Sequence, residues 1–160
     1  MYYWEGVSFF LESIFHNVNN HIMKYYLLIF IVLITTSATM AQSNSVLTTL
    51  QDQVDAFNER DVERLAKNVS ENFKWYYLGS DTLMLEVEGR QNFQQAMEGY
   101  FSSFSWVESN ITDYVVIGNR ITFKEEVSYR TQSGDIATSS SMGIYEIKDG
   151  VITRVWYFLD

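Results

Sequence analysis

The chain has 160 residues, no cysteine and a formal charge of −9 at pH 7, which excludes disulfide staples and disfavours nucleic acid, whose phosphates call for a basic patch. Both histidines, His16 and His21, fall within the first 22 residues, so residues 42–160 hold neither imidazole nor thiol, and most metal-ligand and nucleophile–base arrangements are excluded there. In that stretch ten lysines and arginines face eighteen carboxylates, a net charge of −8, which also disfavours anionic membrane surfaces.

Met1–Ile22 contains no basic residue and reads as an upstream extension from a misassigned start codon. A secretory signal is expected over Met23–Ala41: Lys24 supplies the positive charge, Tyr25–Ile34 the apolar run, and Thr39 and Ala41 the small side chains for cleavage before Gln42. The apolar run is shorter than the roughly 20 residues of a bilayer span. The expected destination is therefore secretion or the periplasm, with membrane attachment only if the signal stays uncleaved. Residues 42–160 have the length of one domain.

Within it, Val46, Leu47, Leu50, Val54 and Phe57 recur at helical spacing opposite Asp52, Asp55 and Glu59. Asp61 is placed to cap a second helix with an apolar side of Val62, Leu65 and Val69. An aromatic strand follows over Phe73–Leu78, and Thr82–Val87 is placed to pair with it. After Gly89, the residues Phe93, Ala96, Met97, Tyr100, Phe101 and Phe104 give a third helix. From there the period changes to two. Strands over Trp106–Ile117, Arg120–Arg130, Ile136–Ile147 and Val151–Leu159 are separated by Gly118-Asn119, Ser133-Gly134-Asp135 and Asp149-Gly150, an antiparallel meander. Helices covering one face of such a sheet make an α+β domain.

Ala56-Phe57-Asn58-Glu59-Arg60-Asp61-Val62-Glu63-Arg64-Leu65, the aromatic strand, Glu88-Gly89-Arg90 opening a helix, and Asp149-Gly150-Val151-Ile152 before Tyr157-Phe158-Leu159-Asp160 together resemble the nuclear transport factor 2-like superfamily, in its branch of SnoaL-like polyketide cyclases and ketosteroid isomerases. The resemblance implies a cystatin-like cone over residues 42–160, with three helices on a curved, mostly antiparallel sheet and an apolar pocket open at one end. Carried over without gaps from Asp61 and Gly150, the isomerases' tyrosine donor falls on Gln53, their carboxylate base on Tyr77 and their protonated aspartic acid on Met142. That machinery is therefore expected to be missing. The His-Asp pair of some cyclases is missing as well.

One carboxylate remains. Period two groups Glu125 with Ile121, Phe123, Val127 and Tyr129 on one strand face, and the resemblance makes that face the pocket side. Buried there, Glu125 would have a raised pKa and serve as a general acid or base; at the pocket mouth, or beside a cation, it would be merely solvated. Gln53, Phe57, Tyr77, Met97, Phe123, Tyr129, Met142 and Tyr157 are the expected ligand wall, and Tyr145 and Trp156, on the opposite face, an expected homodimer interface. Aromatics such as Trp75, Tyr76 and Trp106 read as core or as a stacking box. No phosphate-cradling glycine loop or calcium-loop spacing occurs, so no cofactor and no metal is expected. Asn68-Val69-Ser70 and Asn110-Ile111-Thr112 fit glycosylation sequons, which matter only in a eukaryotic secretory pathway. Three functions follow as candidates: a binder of a small apolar or amphipathic molecule, an enzyme of the cyclase, dehydratase or hydrolase kind using Glu125 with tyrosine donors, and an interaction module whose pocket is filled by its own side chains.

Overall fold

The computed structural model describes Tyr25, residues 44–79 and residues 81–159. Apart from Tyr25, the expected upstream extension, signal and cleavage site lie outside the described residues. The chain divides into two units at Ala41/Gln42, and the second contains every element below.

Helix α1 spans residues 44–58 and buries Val46, Leu50 and Ala56, together with the polar Gln53, along one face. Helix α2, Val62–Lys67, starts where the Asp61 carboxylate accepts a hydrogen bond from the Arg64 N–H, as an N-cap does. Strands β1 (Val69–Leu78) and β2 (Leu83–Glu88) are followed by helix α3 (Arg90–Ser103) and then by β3 (Val107–Ile117), β4 (Arg120–Arg130), β5 (Ile136–Lys148) and β6 (Val151–Leu159). Asp149 and Gly150 both have positive φ, 53° and 78°, the geometry that a two-residue hairpin loop needs.

The six strands form one sheet in the order β2-β1-β6-β5-β4-β3. Neighbours are antiparallel except β1 and β6, which run parallel, Trp75 beside Val155 and Tyr77 beside Tyr157. The last strand is thus inserted between the first and the meander. This is the α+β architecture, with helices packed on a six-stranded, mostly antiparallel sheet. Its core joins Leu50 and Ala56 of α1, Leu65 of α2, Phe93 and Met97 of α3 and the inner sheet residues Phe73, Ile121, Phe123 and Ile152.

The segment from Ala56 to Leu65 holds these layers together. The Asn58 side chain donates to the Ser109 carbonyl (2.9 Å) and accepts from the Ser109 N–H (2.7 Å), pairing with the edge strand β3 as another strand would. Arg60, itself at φ 58°, donates to the carbonyls of Phe101 and Phe104 and so closes the end of α3. Arg64 joins α2 to Asp52 of α1. Arg90, after Gly89, donates twice to the Val69 carbonyl at the start of β1.

Candidate functional site

Alternation on β4 turns Phe123, Glu125 and Val127 to the helix side, with Glu125 opposite Ile111 of β3 and Ser141 of β5. Glu125 is only 9% exposed. The Ser109 hydroxyl donates to its Oε1 at 2.5 Å, and the Asn58 pairing fixes the Ser109 backbone. Burial raises the Glu125 pKa above the ordinary carboxylate range; the Ser109 and Tyr157 hydroxyls favour the charged form and offset part of this. Beyond Tyr157 lies the Tyr145 hydroxyl, 3.4 Å from that of Tyr157. Both phenols are pushed well above their usual value, first by burial and then by the nearby Glu125. The carboxyl therefore sits within a short row of hydroxyls, with Ser109 on one side and Tyr157 and Tyr145 on the other.

These groups border a cavity of about 340 Å³ between α1, α3 and the inner sheet face. Of the expected wall, Gln53, Phe57, Tyr77, Met97, Tyr129 and Tyr157 line it, as does Glu125. Phe123 does not border it. Its ring is buried beneath the wall, edge-on to Tyr145 at 4.7 Å and to Tyr157 at 6.1 Å.

Two assignments on β5 are corrected. Met142 is 51% exposed on the outer face, and Tyr145, expected outside at an interface, is buried and lines the cavity. The hairpin turn sets Lys148 opposite Val151 and Ile147 opposite Ile152. Counting back in twos from the buried Ile147 turns Tyr145, Gly143 and Ser141 inward. The gapless carry-over from Gly150 was one residue out of phase, and in a strand that reverses every side chain. Gly143 is the residue that makes this phase possible: a Cβ there would lie 2.4 Å from the Phe123 ring. Trp156 does face outward, stacked on Tyr76 at 6.0 Å and 13°. In β6, the step from Ile152 to Val155 on the inner face crosses a bulge at Thr153, where the register shifts.

Sequence reasoning did not single out Ser109, Tyr100, Ser139 or Ser141 as lining residues. Ser109 had a signal: it is the polar member of the inward series Val107, Ser109, Ile111, between a core residue and one packed against the core. Two lining residues also carry unsatisfied polar atoms. The Gln53 amide oxygen and the Trp75 indole N–H are buried without hydrogen-bond partners, a condition that costs free energy unless something else supplies the bond.

No lysine, arginine or histidine among the described residues lines the cavity, and Glu125 is the one carboxylate that does. Among the described residues, no three or more histidine, cysteine, aspartate and glutamate side chains converge on a metal position. The chemistry available is hydrogen bonding and proton transfer at one carboxyl, enclosed by aromatic rings.

The model of the SnoaL-like domain matches residues 50–155. The chain belongs to the SnoaL-like domain family. Solved structures of the same fold include a proposed SnoaL-like polyketide cyclase from Jannaschia sp., 16% identical, with TM-score 0.61 over 74% of this chain and 87% of that one. A proposed ketosteroid isomerase from Kribbella flavida is 16% identical, with TM-score 0.62 over 74% and 79%. An LEH-like epoxide hydrolase of M. tuberculosis is 12% identical, with TM-score 0.63 over 74% and 84%. No curated protein matches the chain in sequence. Within this SnoaL-like domain the three positions carried over from the isomerases separate: Gln53 and Tyr77 line the cavity, and Met142 lies on the other side of the sheet.

Proposed function

We propose that this SnoaL-like domain binds a small, largely apolar molecule whose polar group is directed at Glu125. One observation carries the reading: a cavity of about 340 Å³ walled by aromatic rings around a single buried carboxyl. Its size and its apolar lining with few polar groups are those of a small-molecule site. An unfilled cavity weighs against a pocket packed by its own side chains. The test is titration with 2-naphthol, a neutral amphipathic probe, followed by tryptophan fluorescence. Saturable one-to-one quenching that Trp75→Phe reduces supports the reading, and the absence of any saturable signal overturns it.

A catalytic use of the same site has one specific support: Glu125 is buried, has a raised pKa and stands beside tyrosine hydroxyls, the environment of a general acid or base near neutrality. A polar substrate group beside it would exchange a proton with the carboxyl while Tyr157 or Tyr145 donated to developing negative charge. Turnover of a bound substrate that falls steeply in Glu125→Gln would favour this second reading. We also propose export, with the mature chain starting at Gln42, and pairing of two copies through the outer sheet face, where the Tyr76–Trp156 stack and the exposed Met142 lie.

A further inference from the structure

The wall is one-sided in its electrostatics. Among the described residues it contains a carboxyl and no basic side chain, so an anion placed in it would meet like charge with no described cation to offset the loss of water. The aromatic rings have the same bias, because the face of each ring carries negative potential. Trp75 sits 5.6 Å from Tyr77 and 5.8 Å from Tyr157, all three mutually tilted. Across the cavity, Phe104 lies 5.0 Å from Tyr100 and 5.2 Å from Tyr129, again tilted or edge-on. None of these pairs is a parallel stack, so no ring has its face covered flat by its neighbour. Gln53 adds a third, independent indication: it is 6% exposed, lines the cavity, and its amide oxygen lacks a donor.

Resting on the reading that this cavity takes a small amphipathic molecule, we propose that its ligand is an organic amine in its protonated form, with the ammonium group at Glu125 and alkyl or ring substituents against the aromatic walls. The ammonium supplies what the site lacks: a positive charge for a buried carboxylate, an N–H for the Gln53 oxygen, and a cation for the ring faces. The net charge of −9 on the chain favours the approach of a cation over that of an anion.

Binding is then linked to a proton. In the empty cavity, burial raises the Glu125 pKa and so favours its protonated form; an ammonium beside it favours the ionised form and shifts the balance towards proton release. The other titratable groups facing the cavity are phenols: Tyr77 from β1, Tyr145 from β5, Tyr157 from β6, Tyr100 from α3 and Tyr129 from β4. The first four are held above their usual value by burial. Glu125 is thus the group whose titration the amine moves: affinity rises as pH passes through the Glu125 titration, levels off, and falls where the amine loses its own proton.

Three probes of one shape test this on the purified protein by calorimetry: 2-phenylethylammonium, neutral 2-phenylethanol and anionic phenylacetate. The ammonium is expected to bind at least tenfold more tightly than the alcohol, with phenylacetate weakest and with proton release detected by comparing buffers of different ionisation enthalpy. Glu125→Gln, whose fold is checked by thermal melting, is expected to bring the ammonium and alcohol affinities together. Gln53→Leu is expected to weaken the ammonium more than the alcohol. Equal binding of ammonium and alcohol by the wild type, or a preference that survives Glu125→Gln, overturns the proposal. If 2-naphthol binds and the ammonium does not, the amine proposal fails while the small-molecule reading stands. If neither binds, the small-molecule reading itself has failed.

Discussion

Gly143→Ala is expected to destabilise the domain, against the usual direction for a glycine within a strand. Replacing such a glycine with alanine ordinarily gains roughly 0.5–1 kcal/mol by restricting the unfolded backbone. Here the new methyl would lie 2.4 Å from Cζ and 2.6 Å from Cε2 of Phe123. Carbon atoms in contact sit ~3.5–4.0 Å apart, so the ring would have to recede by about 1 Å. Phe123 is 2% exposed and held edge-on by Tyr145 at 4.7 Å, which leaves it no open side. Overpacking of this kind costs about 1–3 kcal/mol and exceeds the backbone gain, for a net loss on the order of 1 kcal/mol and a fall in Tm of about 4 °C in a domain of this size. Thermal and urea unfolding of Gly143→Ala, Phe123→Leu and the double variant measure it. The smaller side chain should absorb the methyl, so the double variant should be more stable than the two single effects added together. A stabilised Gly143→Ala, or strict additivity, would refute the close approach and with it the phase assigned to β5.

Glu125→Gln should stabilise the domain near neutral pH and change little in acid. A carboxyl whose folded pKa is raised contributes stability below its unfolded pKa that is lost as pH climbs through the folded one, and glutamine removes that loss; equal pH–stability curves for the two proteins would place the carboxyl in water. Trp156→Glu should yield monomers in sedimentation equilibrium, and a wild type already monomeric at high micromolar concentration would end the pairing proposal. N-terminal sequencing of exported protein should begin at Gln42, whereas an intact Met1 or Met23 terminus in a membrane fraction would replace export with anchoring. Steroid-type double-bond isomerisation of an unsaturated ketone should be absent, since Gln53, Tyr77 and the outward Met142 supply no carboxylate base; turnover that survives substitution of Glu125 would show the catalytic positions to be misplaced.

Much of the fold was legible because local signals agreed. β4 and β6 were placed at their observed limits, Arg120–Arg130 and Val151–Leu159, by turn residues whose positive φ leaves little choice. The start of β1 was not legible. Val69–Asn72 is mostly polar, and only its first residue, Val69, pairs with the parallel β6, opposite Ile152 about eighty residues onward, before the register breaks and resumes at Lys74. Within the site, Glu125 was readable from alternation on a single strand. Tyr145 and Met142 were misassigned because the gapless carry-over set β5 one residue out of phase, whereas counting in twos from Ile147 gives the phase that the close approach of Gly143 to Phe123 requires. The cavity has a longer-range origin: Gln53 and Glu125 are 72 residues apart in sequence and share a wall only after α1 has docked on the sheet.

The parallel insertion of β6 between β1 and β5 also sets the order in which the domain can become stable. The strand made last occupies the middle of the sheet, and without it β2-β1 and β5-β4-β3 are two separate ribbons with no shared edge. Nothing synthesised before Val151 can close the core around Ile152 and Val155, so the edges of β1 and β5 that flank β6 stay unpaired until Val151–Leu159 is available. Contacts this distant along the chain slow folding and prolong exposure to aggregation. Deletion of only the nine residues Val151–Leu159 would therefore cut the sheet in two rather than trim its border.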